Sequence, residues 1–380
     1  MLNPFSGSIR SPHPSTATAS SVSVRSGHMP QLDSLRTIAV MLVVIYHWFP
    51  TGVGINRLPN GSMGVMIFFV ISGFLITRIL LDNRNRISLG KATVAGTYRN
   101  FFIRRVLRIF PLYYLVLTGV WLLIPQHSDI DAHPLYYYLY GYNILLHQTG
   151  NWSDVLSPFW TLGVEEQLYL VWPWIVLLTP RSAFRWVIGG MIVLGVLFRA
   201  YGYARGDIDG LLTPASADAF GLGALWAYVL VDRPAAEGTV RKRLGLIAGL
   251  AFAAFVGIQF LPDDHLITVL FQRLVLSILA LFIVSHASAG IGGPIGQVLN
   301  NRILLYIGRI SYGIYVFHML VPGHIVPILF RISNRLGVSL TLGYWSHRLF
   351  SLAVLIAIAS ASWYAFEKPI NDLKRYFSYR

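Results

Sequence analysis

The 380-residue chain contains no cysteine. Disulfide scaffolding, thiolate catalysis and cysteine-ligated zinc are therefore excluded, and redox chemistry gives no clue to compartment. Charge is also scarce. Only 12% of residues are charged, against 55% hydrophobic, where a soluble domain carries about 25% charged residues. So few charges cannot cover a water-facing surface of this size, so lipid must cover much of it. A mean hydropathy of +0.58 agrees. Acids are scarcer than bases, 16 against 30, giving a net charge of +14. Nucleic acid is not the expected partner. The Lys and Arg stand in short runs between apolar segments, which is the positive-inside pattern of a membrane protein. No G-x-S-x-G, no H-E-x-x-H and no internal repeat of the inverted-transporter kind occurs. A metal site is not expected.

Apolar stretches follow one another, and each of about 20 such residues can cross a bilayer as a helix. The expected fold is all-α, a polytopic bundle of about ten transmembrane helices. They fall at 34–52, 63–81, 106–124, 160–179, 184–203, 211–231, 244–261, 267–286, 304–330 and 346–366. Residues 1–30 are rich in Ser, Thr, Pro and Gly and read as a disordered tail. Residues 31–370 form the membrane domain and 371–380 a short basic tail. Segment 135–147 is aromatic and short. The basic groups in 82–105, 180–185, 232–243 and the tail share one side only if 135–147 does not cross. It is therefore expected to lie at the outer interface, with both termini cytoplasmic.

Ionisable groups inside such helices cost about 2.5–3.5 kcal/mol each on insertion scales, so they carry the functional information. Arg36 and His47 are eleven positions apart. On a helix they lie within about 20° of each other and about 16 Å apart along the axis. Asp33 shares nearly the same face and can pair with Arg36. Arg104 and Arg108 are one turn apart, with Arg105 beside them, and guanidinium groups suit forked phosphate binding. Topological anchoring is the competing reading of these arginines. Glu165-Glu166-Gln167, between Trp160 and Tyr169, puts two carboxylates in an apolar helix, where packing alone does not explain them. Ser311, Tyr315 and His318 share a broad face at i, i+4 and i+7. Ser72-Gly73 reads as close helix packing, and Pro111 as a kink or helix start.

In order and spacing these motifs resemble the membrane acyltransferases called acyltransferase family 3. The matching pieces are Arg36-x10-His47, Phe69 to Leu75, Arg105-x2-Arg108-Ile109-x-Pro111-x-Tyr113-Tyr114, Trp160-x4-Glu165-Glu166-Gln167-x-Tyr169, and Ser311-Tyr312-x2-Tyr315-x2-His318 with Glu367-x-Pro369. They run over about 33–370. The resemblance implies transfer of an acyl group, commonly acetyl, from acyl-CoA to a hydroxyl of a glycan, a lipid-linked sugar or another extracytoplasmic acceptor. The setting is the inner (plasma) membrane. Acyl-CoA is a co-substrate, and no permanently bound cofactor is expected. Larger family members carry a C-terminal SGNH-type domain, for which this chain has no room, so a separate periplasmic partner is allowed.

Acyl transfer to an alcohol needs a base, oxyanion stabilisation and a site for donor phosphates. His47 is the expected base. Arg36, Arg105, Arg108 and Arg104 are the expected phosphate ligands. Glu165 or Glu166 orients His47 or lines the acceptor path. Asp33, Trp160, Gln167, Tyr169, Ser311, Tyr315 and His318 are expected along the substrate path. A proton-coupled transporter or flippase is the competing class, since buried Arg, His and Glu also build proton relays.

Overall fold

Long runs of Leu, Ile, Val, Phe and Ala with no water-facing face leave the backbone one way to satisfy its polar groups in lipid, the α-helix. The computed structural model describes residues 28–338 and 341–379, and among these there is no strand. The helices are α1 (Pro30–Trp48), α2 (Asn60–Ser88), α3 (Val94–Leu123), α4 (Pro134–Tyr138), α5 (Tyr142–Thr149), α6 (Trp160–Leu178), α7 (Arg181–Ala204), α8 (Ala217–Asp232), α9 (Glu237–Ile258), α10 (Leu266–Ala289), α11 (Gly293–Leu299), α12 (Arg302–Arg309), α13 (Ser311–Phe317), α14 (Val326–Arg335), α15 (Tyr344–Ser362) and α16 (Lys368–Asp372). Each of the ten expected segments falls on helix. Of the expected tail 1–30, residues 1–27 lie outside the described residues, and α1 already begins at Pro30.

Six described helices are long and apolar enough to cross a membrane. The pair Ser311–Phe317 plus Val321–Arg335, bent by 51°, makes up to seven. The chain is a multi-pass membrane protein. Among the expected spans, α1, α6 and α9 lack that plain signature. Each gives part of its length to ionisable residues, namely Asp33 and Arg36, Glu165 and Glu166, and the Glu237–Arg243 turn.

Three local expectations are corrected. The loop expected over 82–105 shrinks to 89–93, because α2 runs to Ser88 and α3 starts at Val94. Arg and Lys are good helix formers, and the Thr93 side chain caps α3 by accepting from the Gly96 N–H at 3.1 Å. Pro111 lies well inside α3 and does not mark its start. Span 304–330 is broken into α12, α13, a π-turn at Val321–Ile325 and α14. Segment 135–147 forms two short helices, separated at Tyr140 by a left-handed φ of 55°. The longer has eight residues, about 12 Å of rise, too little to cross.

Helix α2 is the centre of the bundle, packed on α1, α6, α8 and α10. Its crossing with α8 is set by two glycines. A Cβ on Gly73 would stand 2.3 Å from the Phe220 carbonyl oxygen, and one on Gly223 2.2 Å from that of Val70. Only hydrogen atoms fit there, so the backbones meet. The basic connections gather at one end of the bundle. Arg84 donates to the Val176 carbonyl (3.1 Å) and the Thr179 carbonyl (2.5 Å). Arg181 bonds Asn85, and Asn100 donates to the Ser378 carbonyl at 2.9 Å. A buried ion pair, Arg199 to Asp218 at 2.6 Å, ties α7 to α8, and Arg199 also donates to the Leu270 carbonyl on α10.

Candidate active site

Two cavities share a wall. The narrow one, about 100 Å³, is bordered by Arg36, Ser72, Arg105, Arg108, Glu165 and Tyr169. The wide one, about 410 Å³, is bordered by His47, Trp152, Trp160, Asp209, Asp263 and Arg273. Val65 and Tyr315 border both. Arg36 and His47, about three turns apart on α1, each border a different chamber. Tyr315 stands between them. Its hydroxyl donates to the Pro158 carbonyl (2.6 Å) and shares a 2.6 Å hydrogen bond with Thr161, which holds the ring on the dividing wall.

The narrow cavity carries three guanidinium groups and one carboxylate in its lining. Asp33 neutralises Arg36 through a 2.7 Å ion pair at i, i+3. Arg105 and Arg108 have no hydrogen bond or ion pair with any described residue. Arg105 lies against two rings instead, 5.5 Å from the Phe101 centroid and 5.6 Å from that of Tyr169. Arg108 is exposed and borders the cavity. Cations held this way, near Glu165 as the one facing acid, leave room for an anion.

Adjacent residues on a helix point about 100° apart, so Glu165 and Glu166 cannot share an environment. Glu165 turns to the narrow cavity. The Tyr169 hydroxyl donates to Ser72 Oγ (3.3 Å), which donates to Glu165 Oε1 (2.8 Å). Glu166 turns away into a buried cluster with Tyr113, Tyr114, Tyr140 and Tyr312, 4% exposed, its Oε1 without a hydrogen-bond partner among the described residues. Gln167 bonds the Tyr140 carbonyl (2.9 Å), Asn143 (2.8 Å) and Thr213. It holds α5 and the turn before α8, and borders neither cavity.

His47 borders the wide cavity and is backed by His318. His318 Nδ1 lies 2.6 Å from the Tyr315 carbonyl. A carbonyl only accepts, so Nδ1 carries the proton and Nε2 of the neutral ring is an acceptor. His47 Nδ1 is 2.9 Å from the Val43 carbonyl and 3.3 Å from His318 Nε2. Two acceptors demand that His47 Nδ1 also carry its proton. The lone pair of His47 is left on Nε2. Trp48 Nε1 donates to the His318 carbonyl at 2.8 Å, and His318 is 1% exposed, so the pair is rigidly mounted.

The remaining expected residues fall as follows. Trp160 borders the wide cavity, and Ser311 and Tyr169 the narrow one. Arg104 borders neither. It donates to the Lys374 carbonyl at 3.0 Å and reaches the Phe377 carbonyl at 3.4 Å. Ser72, read from sequence as packing, is instead a hydrogen-bond donor to Glu165, while its neighbour Gly73 does serve packing. Arg273 was not singled out at all. It lies in apolar α10, donates to the Gly210 carbonyl (2.7 Å) and lies 5.8 Å from the Trp160 ring centroid. Its position, a lone cation in an apolar helix, was the available signal.

The family model described as an acyltransferase domain matches residues 29–367. The chain belongs to acyltransferase family 3. Within the family it is 26% identical over 374 residues to the putative peptidoglycan O-acetyltransferase YrhL of Bacillus subtilis, covering 90% of this chain and 55% of that protein. It is 25% identical over 332 residues to the peptidoglycan O-acetyltransferase OatA of Listeria monocytogenes, covering 80% and 50%. A putative O-acetyltransferase of Staphylococcus aureus is 28% identical over 326 residues, covering 77% and 50%. The chain thus spans about half the length of these curated relatives. No solved structure matches it.

Proposed function

We propose that this protein is an O-acyltransferase of the inner (plasma) membrane. It moves an acyl group, acetyl by analogy with its relatives, from acyl-CoA in the cytoplasm to a hydroxyl of a cell-envelope glycan. Peptidoglycan heads the candidate acceptors because YrhL and OatA are named for it. The observation that carries the reading is the pair of chambers meeting at Tyr315, one with unneutralised guanidinium groups and one presenting the unprotonated Nε2 of His47.

The chemistry follows from that arrangement. The wide cavity offers Trp152 and Trp160 with Asp209, Asp263 and Arg273. Two acids and nearby cations leave it close to charge balance, and flat rings with carboxylates suit a neutral polyol. An acceptor hydroxyl gives its proton to His47 Nε2 as its oxygen attacks the thioester carbonyl carbon. The carbon–sulfur bond breaks, the new ester forms, and the His47 proton passes to the departing thiolate. His318 holds the tautomer of His47 that this step needs. Glu165, bonded through Ser72, faces the guanidinium groups and keeps them oriented. The axial distance from Arg36 to His47, about 16 Å, is one that a phosphopantetheine arm can bridge past Tyr315.

The topology that accompanies this reading has ten crossings, with both termini and the basic connections on the cytoplasmic face. It is supported by the hydrogen bonds that gather the basic segments at the Arg36 end. The test is to supply labelled acetyl-CoA outside inverted membrane vesicles containing the protein and follow label into the glycan fraction. Transfer that is lost in His47→Gln supports the enzyme. Solute movement without label transfer would sink it in favour of a transporter.

A further inference from the structure

The narrow cavity is about 100 Å³, whereas a pocket that encloses a drug-sized ligand is about 300–1,000 Å³. It can take a slender arm but not the nucleotide end of an acyl-CoA. The phosphates and the base must rest outside it, on the rim next to Arg105. Beside Arg104, the neighbour of Arg105, lie the residues after α16. They form a single 3-10 turn, Leu373–Tyr376, and a strap to Tyr379 that lies along the first turns of α3. The strap is held by its backbone. Arg104 donates to the carbonyls of Lys374 (3.0 Å) and Phe377 (3.4 Å), and Asn100 donates to that of Ser378 (2.9 Å). The Tyr379 ring lies 5.3 Å from the Arg104 guanidinium carbon.

With the backbone used for anchoring, the side chain of Lys374 is left free of any hydrogen bond or ion pair among the described residues. It lies within electrostatic reach of Arg104, Arg105 and Arg108. A fourth cation placed against three others, where only Arg36's neighbour Asp33 and the cavity's Glu165 offset part of the charge, and with no ion pair of its own among the described residues, is unfavourable in the empty protein. Nearby Lys368 shows the contrast, since it is paired with Asp372 at 2.9 Å. The arrangement becomes favourable when a polyanion lies on it.

Resting on the acyl-CoA reading above, we propose that Lys374, carried on the strap over Leu373–Tyr379, is a donor-binding residue that holds a phosphate of the nucleotide end of coenzyme A at the rim of the narrow cavity. Arg105 and Arg108 hold the phosphates nearer the cavity, and Arg104 is a positioning residue that docks the strap. The strap thereby joins the C-terminal segment to α3 through the ligand as well as through its own hydrogen bonds.

The experiment measures binding of free coenzyme A to the full-length protein in lipid nanodiscs, at two salt concentrations. It compares wild type with Lys374→Gln, Lys374→Arg, Arg105→Gln/Arg108→Gln and Lys242→Gln, the last a distant basic residue on α9. The expected result is about tenfold weaker binding for Lys374→Gln, recovery in Lys374→Arg, a shallower salt dependence for Lys374→Gln, and no change for Lys242→Gln. If Lys374→Gln binds like wild type while Arg105→Gln/Arg108→Gln is weakened, the strap assignment is overturned and the donor reading stands. If wild type does not bind coenzyme A, or the double arginine variant binds as well as wild type, the donor reading itself fails and Lys374 loses its role with it.

Discussion

In the proposed reaction the tautomers of two histidines carry the chemistry. His318 Nδ1 and His47 Nδ1 both face backbone carbonyls, so the proton of each ring is committed and His47 Nε2 is the one available base. General-base catalysis is worth about 10²–10⁴-fold in rate. His47→Gln should therefore lower kcat by that factor with donor binding unchanged, read by transfer of labelled acetyl alongside coenzyme A binding. His318→Ala removes one of the two acceptors at His47 Nδ1, leaving the Val43 carbonyl, and opens space for the ring to turn. Its expected loss is smaller, about 10–100-fold by the same reasoning, and a wild-type rate in His318→Ala would show that the second ring is only packing. The two glutamates should separate just as clearly. Glu165→Gln keeps an acceptor for Ser72 but removes the negative charge that faces Arg105 and Arg108, and should impair transfer. Glu166→Gln, facing a tyrosine cluster, should leave donor affinity intact.

At the scale of elements, the site depends on where α2 stands. Its contact with α8 leaves no room for a side chain at Gly73 or Gly223, and Ser72 is one residue from that contact. Gly73→Leu should push the helices apart, remove the Ser72 bond to Glu165 and lower both thermal stability and transfer, measured by melting in detergent and by label incorporation. The α7–α8–α10 junction depends on Arg199. Arg199→Ala leaves Asp218 buried and unpaired, and breaking a buried pair costs about 3–5 kcal/mol. The expected result is a sharp fall in the melting temperature of the variant, with no selective effect on coenzyme A affinity in the folded fraction. Lone ionisable residues in apolar helices thus divide into two groups here, those that bond other helices and those that face a cavity. Arg199 and Arg273 each stand alone in an apolar stretch and look alike in sequence. Only their neighbours distinguish a buried brace from a group that borders a cavity.

For the whole molecule, the prediction concerns sidedness. The chain has no cysteine, so single cysteines can be introduced on an unlabelled background. Cysteines at Gly90, Gly238 and Ser378 should react with a membrane-impermeant reagent only in inverted vesicles. One at Asp264 should react only in right-side-out cells. Labelling of Gly90 and Asp264 from the same side would overturn the topology and the assignment of the two chambers to opposite faces.

How much of this was readable without coordinates follows from helix geometry. The helical class, the lipid-facing surface and the eleven-residue offset of Arg36 and His47 are properties of one chain segment at a time. A regular rise and twist converts them directly into depth and face. Segment 135–147 is placed by the side on which the basic residues fall, and the structure adds that neither of its helices is long enough to cross. Tertiary structure alone decided what depends on a neighbour remote in sequence. It chose between Glu165 and Glu166, which differ only in which helix they meet. It brought His318 to His47 across 271 positions, turned Ser72 from packing into a hydrogen-bond donor, and laid Lys374 beside Arg104. Those pairings are set by how whole helices cross, and a crossing is fixed by close contacts such as Gly73 on Phe220, which no single segment of the chain contains.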